Sequence, residues 1–426
     1  MMVKKEKIIL VVWGVCCAFA LVYPHLYTVG NGWIADFRAE RLFERYMSLL
    51  ENGKFDIAHN SHTLGYGLYF PYIMRWLNIS DGKQMYCLAQ SFSAFIVISV
   101  YPLLILKCFK SYCIALISPV IMHLSVGDML YINKANEYFS GLWAITFSFP
   151  ILFLLTKEKE EKNVMIYSLA LSVIMMFSNV MRGHSGAPVL FLTVIILLAK
   201  WKKKILSVYI FCISITVMLV TYNFLSSYIP NIVASQWGVE GTIPYNSSPW
   251  HSILIGMGYI ENDYGLYYDD DCARDLVAEN FPNIKYNSDE YYLCCKEIAV
   301  SIIKKEPGFI ILGLTTKFID SIKLQLKYLM GISLLAIKAY KVLMVICILL
   351  LMSILLIKKR IIYLLKDFGF MLVEGCFLAI MGLYAGIFAI PNEYYEWGGV
   401  GCIGVLLAFF CFSLLYEVHN EGDKIK

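Results

Sequence analysis

Charged residues are scarce in this sequence. Asp, Glu, Lys and Arg together make up 16% of its 426 residues, whereas about 25% is usual for a soluble domain. Hydrophobic residues make up 59%, and the mean hydropathy is +0.64. A soluble globule of this composition is excluded. With only 12 prolines and 15% aromatic residues, a disordered or collagen-like chain is excluded as well.

Dense basic stretches and paired cysteine motifs are also missing. The net charge is +4, and no stretch has the density of Lys and Arg that binding to nucleic acid requires, so no nucleic-acid partner is expected. The 13 cysteines form no CxxC pair, which argues against a zinc finger or a thioredoxin-like centre. Cys272 with Cys294 or Cys295 is a candidate disulfide in an oxidising exterior.

Long apolar runs at regular intervals are what the sequence does contain. A bilayer core of about 30 Å needs about 20 apolar residues per helix. We therefore predict an all-α polytopic membrane protein with about ten transmembrane helices. The predicted spans are 8–23, 86–106, 112–126, 138–155, 164–180, 188–199, 205–224, 339–357, 368–390 and 400–415.

Short basic clusters set the predicted topology. They precede the first span and follow the second, fourth, sixth and eighth spans. The positive-inside rule places all of them in the cytoplasm, which agrees with an even number of spans and two cytoplasmic termini. Richness in Lys, Ile, Tyr and Asn is typical of an AT-rich bacterial source, so the expected location is a bacterial cytoplasmic (inner) membrane.

This topology predicts three regions. Residues 1–224 form an N-terminal transmembrane module of about seven spans, with a first outer loop at 24–85. Residues 225–338 form an extracytoplasmic loop region, and residues 339–426 form a C-terminal transmembrane module of about three spans. Since the cytoplasmic loops are short, function is expected on the outer face.

Amphipathic spacing predicts two interfacial helices within these outer segments. The first covers residues 37–50. The second covers residues 307–329, where charged residues recur along one predicted face at Lys317, Asp320, Lys323 and Lys327. These charges favour a helix along the membrane surface over an eleventh span.

Three acidic residues in the predicted outer loops are candidates for chemistry. Asp36 follows the first span and could act as a general base on a hydroxyl group, although it is equally suited to cap a helix that begins at Phe37. Asp128 and Glu137 lie at the two ends of the second outer loop. They could orient an acceptor or bind a divalent cation, while the dipole of the fourth span could stabilise Glu137 without any function.

The loop MRGHSGAP between the fifth and sixth spans predicts an anion site. Arg182 can bind a phosphate in a bidentate manner and His184 can donate to the same group. Gly183 and Gly186 allow the backbone to approach a ligand closely. The alternative is a positively charged headgroup anchor at a tight turn between helices.

Aromatic and acidic residues in the fourth and fifth outer segments predict binding of sugar. Trp250 and His251 precede Asn262 and Asp263, and aromatic faces with short polar side chains are typical of carbohydrate sites. The acidic run 269–271 lacks the spacing of a calcium loop and is predicted to be a solvated turn. Glu393 and Tyr394 lie in the last outer loop, where an aromatic belt explains the rings alone.

In its layout, the chain resembles the GT-C superfamily of membrane glycosyltransferases. The shared features are a long first outer loop with an early acid, an acid in the second loop, a basic residue at a later loop and a late outer region. The resemblance implies transfer of a sugar from a polyprenyl-phosphate carrier to a glycan, lipid or protein, with Asp36 as base and with Arg182 and His184 at the carrier phosphate. Many members carry two adjacent acids in the first loop, whereas Phe37 follows Asp36 here, so the use of a divalent cation stays open.

The alternatives are a polysaccharide polymerase, a lipid-linked oligosaccharide flippase or another transporter. A transporter should carry ionisable residues at bilayer depth or break its helices there. The predicted spans are nearly free of charge, with Glu374 in the ninth span as the exception. No internal repeat is found, which also disfavours a transporter built from inverted halves.

Overall fold

A computed structural model of the chain describes seven main ranges and several short pieces. The ranges are 4–30, 70–79, 82–126, 137–181, 186–223, 249–286 and 288–331, and the pieces are 228, 232, 235, 346, 349, 353, 386–387, 389–391, 404–405 and 408–416. All regular structure in them is helical, as the α class predicts. The chain divides into two compact units, of which the first comprises 1–245, 333–376 and 401–426 and the second comprises 246–332 and 377–400.

All but one of the helices described in 4–223 coincide with predicted spans, and the exception, at Phe70–Leu77, lies in the predicted first outer loop. The helices described in this range are α1 (Lys4–Gly30), α2 (Phe70–Leu77), α3 (Gly82–Phe109), α4 (Tyr112–Val126), α5 (Glu137–Lys157), α6 (Glu161–Met181), α7 (Ala187–Lys202) and α8 (Val208–Asn223). Each of the first six predicted spans lies within one of these helices, and the seventh contains α8. Predicted spans 339–357 and 368–390 lie almost entirely outside the described residues. The last predicted span overlaps helical residues 408–416.

Two helices in the described part of the chain are long and apolar enough to cross a bilayer. They are Lys5–Tyr27 within α1 and Cys87–Phe109 within α3. Three further apolar helices are shorter: Tyr112–Val126, Trp143–Lys157 and Val208–Thr221. The two longer helices support an association with a membrane, and the count of about ten spans stays a prediction.

α1 ends later than its predicted span. The helix continues through Pro24 to Gly30, so the outer loop predicted from residue 24 begins further along the chain. Proline removes one backbone donor, a loss that helices in an apolar environment tolerate. α1 packs against α3 at Gly14, where an added Cβ would overlap the Ser99 carbonyl oxygen, and the Trp13 indole donates to the Leu116 carbonyl oxygen at 2.7 Å.

The first unit buries small hydroxyl side chains together with apolar ones, and it also leaves many large apolar side chains exposed. Buried Ser118, Ser168 and Ser172 each donate to a carbonyl oxygen of their own helix at 2.8 Å, so helix packing buries no unsatisfied hydroxyl at these positions. The large side chains that are exposed include Ile8, Val12, Phe19, Phe92, Ile96, Ile166, Val173, Phe191, Val208 and Val220. A soluble helical bundle exposes a polar face instead, so this apolar exterior differs from that of a soluble protein.

One end of the first unit joins four helix termini. The buried Lys200 ammonium, near the end of α7, donates to the carbonyl oxygens of Thr156, at 3.1 Å, and Glu158, just after α5. Glu161, the first residue of α6, accepts from the backbone N–H of Ser207, which precedes α8, at 2.6 Å. The predicted cytoplasmic loops at 157–162 and 200–204 therefore lie on the same side of the unit.

Aromatic rings at the ends of α3 and α5 pack with the helical residues 408–416. Phe109 lies 5.4 Å, between ring centroids, from both Phe153 and Phe409, and Phe412 contacts the same cluster. All four rings are almost fully buried. These contacts attach the C-terminal helical residues to the rest of the first unit.

The second unit is a small helical unit with its own apolar core. It contains α9 (Trp250–Gly256), a 3-10 turn (Met257–Tyr259), α10 (Asp270–Asn280), α11 (Asp289–Lys305) and α12 (Pro307–Gly331). Asp269 and Ser288 cap α10 and α11 by accepting from backbone N–H groups two and three residues ahead, a preferred use of these side chains. The core residues are Leu254, Ile255, Met257, Leu266, Cys272, Ala273, Val277, Tyr291, Cys294, Cys295, Ala299 and Ile302.

α12 confirms the predicted helix but not its predicted charged face. Lys317 is only 4% exposed, whereas the Lys323 side chain is largely exposed and pairs with Asp320 at 2.9 Å. The exposed side of α12 instead includes the apolar residues Ile311, Leu312, Phe318, Ile319 and Ile322. The buried residues Gly313, Lys317, Ser321 and Gln325 follow one another at four-residue intervals, so a single helix face turns them all inward.

Candidate functional site

The residues predicted to bind sugar lie at two places in the second unit. Trp250 and His251 are the first two residues of α9. Asn262 and Asp263 lie in the loop between the 3-10 turn and α10. Trp250 and His251 lie next to the apolar core that α9 forms with α10 and α11. Short helices therefore define the positions of both rings.

His251 links three helices through both of its ring nitrogens. Its Nδ1 lies 2.8 Å from the Tyr291 hydroxyl on α11, and its Nε2 lies 2.9 Å from Asp270 Oδ1 on α10. Tyr291 is 1% exposed, whereas the Asp270 side chain is 72% exposed. The chain of contacts therefore runs from the core of the unit to its surface.

The donors and acceptors in this chain follow from the chemistry of its members. A carboxylate only accepts hydrogen bonds, so Nε2–H donates to Asp270. Burial, and then the neighbouring Cys295, raises the pKa of Tyr291 well above its usual range, so its hydroxyl keeps its proton. While both bonds persist, His251 has no ring nitrogen left for a ligand.

Asn262 is also fully engaged by the fold. Its amide nitrogen donates to the carbonyl oxygens of Ile260 and Leu266 at 3.0 and 2.9 Å. Its amide oxygen accepts from the N–H groups of Tyr264 and Leu266 at 3.1 and 3.0 Å. Four hydrogen bonds from one side chain hold the loop that carries Asp263, and positive φ at Gly265 completes its turn.

Among the described residues that were predicted to bind sugar, Trp250 and Asp263 are the ones whose polar groups or rings the hydrogen bonds above leave for a ligand. Asp263 is exposed. Trp250 is half-buried, with the Lys296 ammonium 5.9 Å from its ring centroid. A sugar ring could stack on the exposed part of the indole. His251 holds the start of α9 that carries Trp250, and Asn262 holds the separate loop that carries Asp263.

The acidic run and the cysteines have structural positions. Asp269 caps α10, and Asp271 pairs with Arg274 at 2.8 Å. The run is exposed, as predicted, but it begins a helix and does not form a turn. Cys272, Cys294 and Cys295 are buried thiols, and the predicted disulfide is not formed. In the described ranges, no group of three or more His, Cys, Asp or Glu side chains could hold a metal ion.

The described residues at the two ends of MRGHSGAP form a rigid frame. Asn179 lies near the end of α6, and its amide oxygen accepts from the Gly186 N–H at 2.7 Å. An added Cβ on Gly186 would overlap the Met175 carbonyl oxygen, so α6 and the start of α7 are in close contact. Pro188, in the first turn of α7, lacks the N–H that an interior helical position would need.

The other predicted site residues are mostly outside the described part of the chain. Glu137 is the first residue of α5, as predicted from the start of the fourth span. Those outside the described residues are Asp36, Asp128, Arg182, His184, Glu393 and Tyr394. Their roles stay predictions.

Sequence reasoning missed Tyr291 and Asn179 as site components. Tyr291 is 40 positions from His251, and no local pattern connects the two. Asn179 carried a weak signal, since an amide within an otherwise apolar helix needs a partner.

Comparison with protein-family models, with curated proteins and with solved structures finds no match to this chain. Proposals about function therefore depend on the residues and their geometry.

Proposed function

We propose that this chain is an integral membrane glycosyltransferase that moves a sugar from a polyprenyl-phosphate donor to a glycan, lipid or protein outside the cytoplasm. The main supporting observation is that the chain has two different parts. One is a helical bundle with exposed apolar side chains, and the other is a compact helical unit with aromatic and acidic residues near its surface. The first property suits a lipid-linked donor, and the second suits a polar acceptor.

The proposed fold has about ten transmembrane helices in a GT-C-like arrangement, with both termini in the cytoplasm of a bacterium. Exposed apolar residues on α6, α7 and α8, such as Ile166, Phe191 and Val220, support further spans beyond α1 and α3. The common end of α5, α6, α7 and α8, where Lys200 and Glu161 lie, would face the cytoplasm. The opposite ends of α6 and α7 would then face outward with the candidate site.

In the proposed reaction, Asp36 takes the proton of the acceptor hydroxyl as that oxygen attacks the anomeric carbon of the donor sugar. The bond from this carbon to the carrier phosphate breaks, and Arg182 and His184 stabilise the leaving phosphate. Asp128 and Glu137 orient the acceptor or bind a divalent cation. Trp250, Asp263, Glu393 and Tyr394 are candidate contacts to the acceptor, supported by His251 and Asn262.

The test is an Asp36→Asn variant in membranes, supplied with radiolabelled polyprenyl-phosphate sugars. Loss of a general base should reduce transfer by about 100-fold or more, with an unchanged protein level in the membrane. Glu279→Gln, which neutralises an exposed acid at the end of α10, is the matched control and should keep full activity. Full transfer by Asp36→Asn would remove Asp36 from the mechanism.

A strain without this protein distinguishes the glycosyltransferase from its alternatives. Altered surface glycans together with an accumulated lipid-linked monosaccharide are expected. Accumulated lipid-linked oligosaccharide would indicate a polymerase or a flippase instead. Unchanged glycans with an altered uptake of solutes would indicate a transporter.

A further inference from the structure

The side-chain amide of Asn179 lies in a fixed orientation near the outer end of α6. Asn179 is 2% exposed, and its amide oxygen accepts from the Gly186 N–H at 2.7 Å. Only the oxygen can accept from a backbone N–H, so the orientation of the amide is determined. Its nitrogen must then point away from that bond.

This amide nitrogen is a buried donor with no hydrogen-bond partner among the described residues. Other buried groups without a partner, such as the hydroxyls of Ser99 and Ser214, can rotate towards a carbonyl oxygen of their own helix. The Asn179 amide cannot rotate without releasing Gly186. Buried donors are almost always satisfied in folded proteins, so this one requires an explanation.

A second unsatisfied donor lies on the neighbouring helix. Trp143 is fully buried in α5, which packs along α6, and its indole nitrogen has no partner in the described ranges either. Trp143 and Asn179 lie about 21 and 27 Å from the ends of α5 and α6 that meet at Lys157 and Glu161. Both groups only donate here, so the ligand that would satisfy them must be an acceptor.

The beginning of α7 adds a positive dipole at Asn179. Gly186 precedes this helix, and no side chain caps it. Its 16 residues give it a full helix dipole, whose positive end favours anions. The Gly186 N–H in contact with Asn179 places the amide at this end.

We infer that Asn179, at the beginning of α7, binds a phosphate oxygen of the polyprenyl-phosphate carrier. This assignment depends on the proposed function, because it names the ligand of the same outer site. Phosphate oxygens of a sugar-carrying phosphodiester only accept hydrogen bonds, which matches the unpartnered amide nitrogen of Asn179. The position of Asn179, about 27 Å along α6 from its other end, matches the level at which the phosphate of a membrane-anchored carrier lies.

The experiment uses the purified full chain in detergent. Farnesyl phosphate is the probe, and farnesol, which lacks the phosphate, is the control ligand. Binding is read from the change in melting temperature and from a titration. Farnesyl phosphate should bind the wild type and farnesol should not. Asn179→Asp keeps an oxygen for the Gly186 N–H and replaces the free donor, so its dissociation constant for farnesyl phosphate should rise tenfold or more. Thr193→Val removes a buried hydroxyl that bonds only within α7 and should bind as the wild type does.

The outcomes separate the inference from the proposed function. A second variant, Asn179→Val, removes the amide altogether. If both Asn179 variants bind farnesyl phosphate as tightly as the wild type, the role of Asn179 is overturned and the enzyme proposal stands. If the wild type does not distinguish farnesyl phosphate from farnesol, the lipid-phosphate donor itself is wrong. Inorganic phosphate or phosphatidylglycerol that competes as well as farnesyl phosphate would identify a general phosphate site and overturn the carrier assignment.

Discussion

His251 has a predicted effect on stability that separates its structural role from a role in binding. Its two hydrogen bonds join α9 to Tyr291 and Asp270. His251→Phe keeps an aromatic ring against Tyr286 but removes the hydrogen bond between His251 and the buried Tyr291 hydroxyl. Loss of a buried hydrogen bond costs about 1–3 kcal/mol. We expect this decrease in the free energy of unfolding, measured by denaturant titration of the full chain in detergent.

The matched control for His251 is Asp270→Asn. The Asp270 side chain is mostly exposed, and an amide oxygen can still accept from Nε2–H. Exposed pairs contribute little, so the variant should remain within about 0.5 kcal/mol of the wild type. Equal losses for the two variants would mean that the contact to the surface, and not the buried contact to Tyr291, carries the stability.

The sequence allowed a prediction of which polar residues are candidates for the site, but not of which residues they hydrogen-bond to. The sequence identified His251 and Asn262 as unusual polar residues in an aromatic stretch. It gave no indication that Asn262 uses all its hydrogen-bonding capacity on its own loop, because backbone direction decides that. Nor could it connect His251 with Tyr291, since contacts across 40 residues depend on how helices pack.

At the scale of the helices, we predict that Lys200 stabilises the contact between the ends of α5 and α7. Its buried ammonium satisfies carbonyl oxygens at the end of α5, which otherwise lack intrahelical partners. Lys200→Gln should therefore lower the melting temperature of the full chain, by an amount that corresponds to about 1–3 kcal/mol. Thermal unfolding in detergent measures this change.

Lys203→Gln is the control for the charge of the same loop. Lys203 is exposed, so this variant removes an equal charge without removing a buried contact. It should leave the melting temperature unchanged. If both variants unfold at the same lower temperature, the charge of the loop rather than the bonds to α5 explains the effect.

α12 has an apolar side that should contact lipid. Ile311, Phe318 and Ile319 are exposed, while Lys317 and Ser321 are buried, which is the orientation expected for a helix that lies in the membrane interface. A photoreactive benzoylphenylalanine at position 311 or 319 should form lipid adducts in membranes, detected by mass spectrometry. The same group at position 304, an exposed polar position at the end of α11, should form far fewer.

Adducts of equal yield at positions 304 and 311, or adducts only to protein, would contradict this placement of α12.

The periodicity of the sequence predicted that residues 307–329 form a helix. It placed Lys317 on the charged surface, because spacing alone cannot distinguish an exposed lysine from one that packing turns inward. The helix was therefore predictable and its orientation was not.

For the whole molecule, apolar runs predicted seven of the eight helices described in 4–223, most of their ends to within a few residues. Such runs are a one-dimensional signal, since length and hydropathy decide where a helix can lie in a bilayer. The ends differ where local chemistry intervenes, as at Pro24 inside α1. The core of the second unit had no comparable signal, because its buried residues come from short helices joined by polar loops.

The topology of the whole chain gives the last prediction. Single cysteines at positions 36, 182 and 263 should react with a membrane-impermeant maleimide in intact cells, because all three are predicted to face outward. A cysteine at position 203 should react only after permeabilisation, since α7 separates it from position 182 by about 24 Å. The unmodified chain provides the background from its native cysteines. Labelling of positions 36 and 182 from opposite sides of the membrane would exclude a shared site, because the base and the phosphate-binding residues must meet on one face.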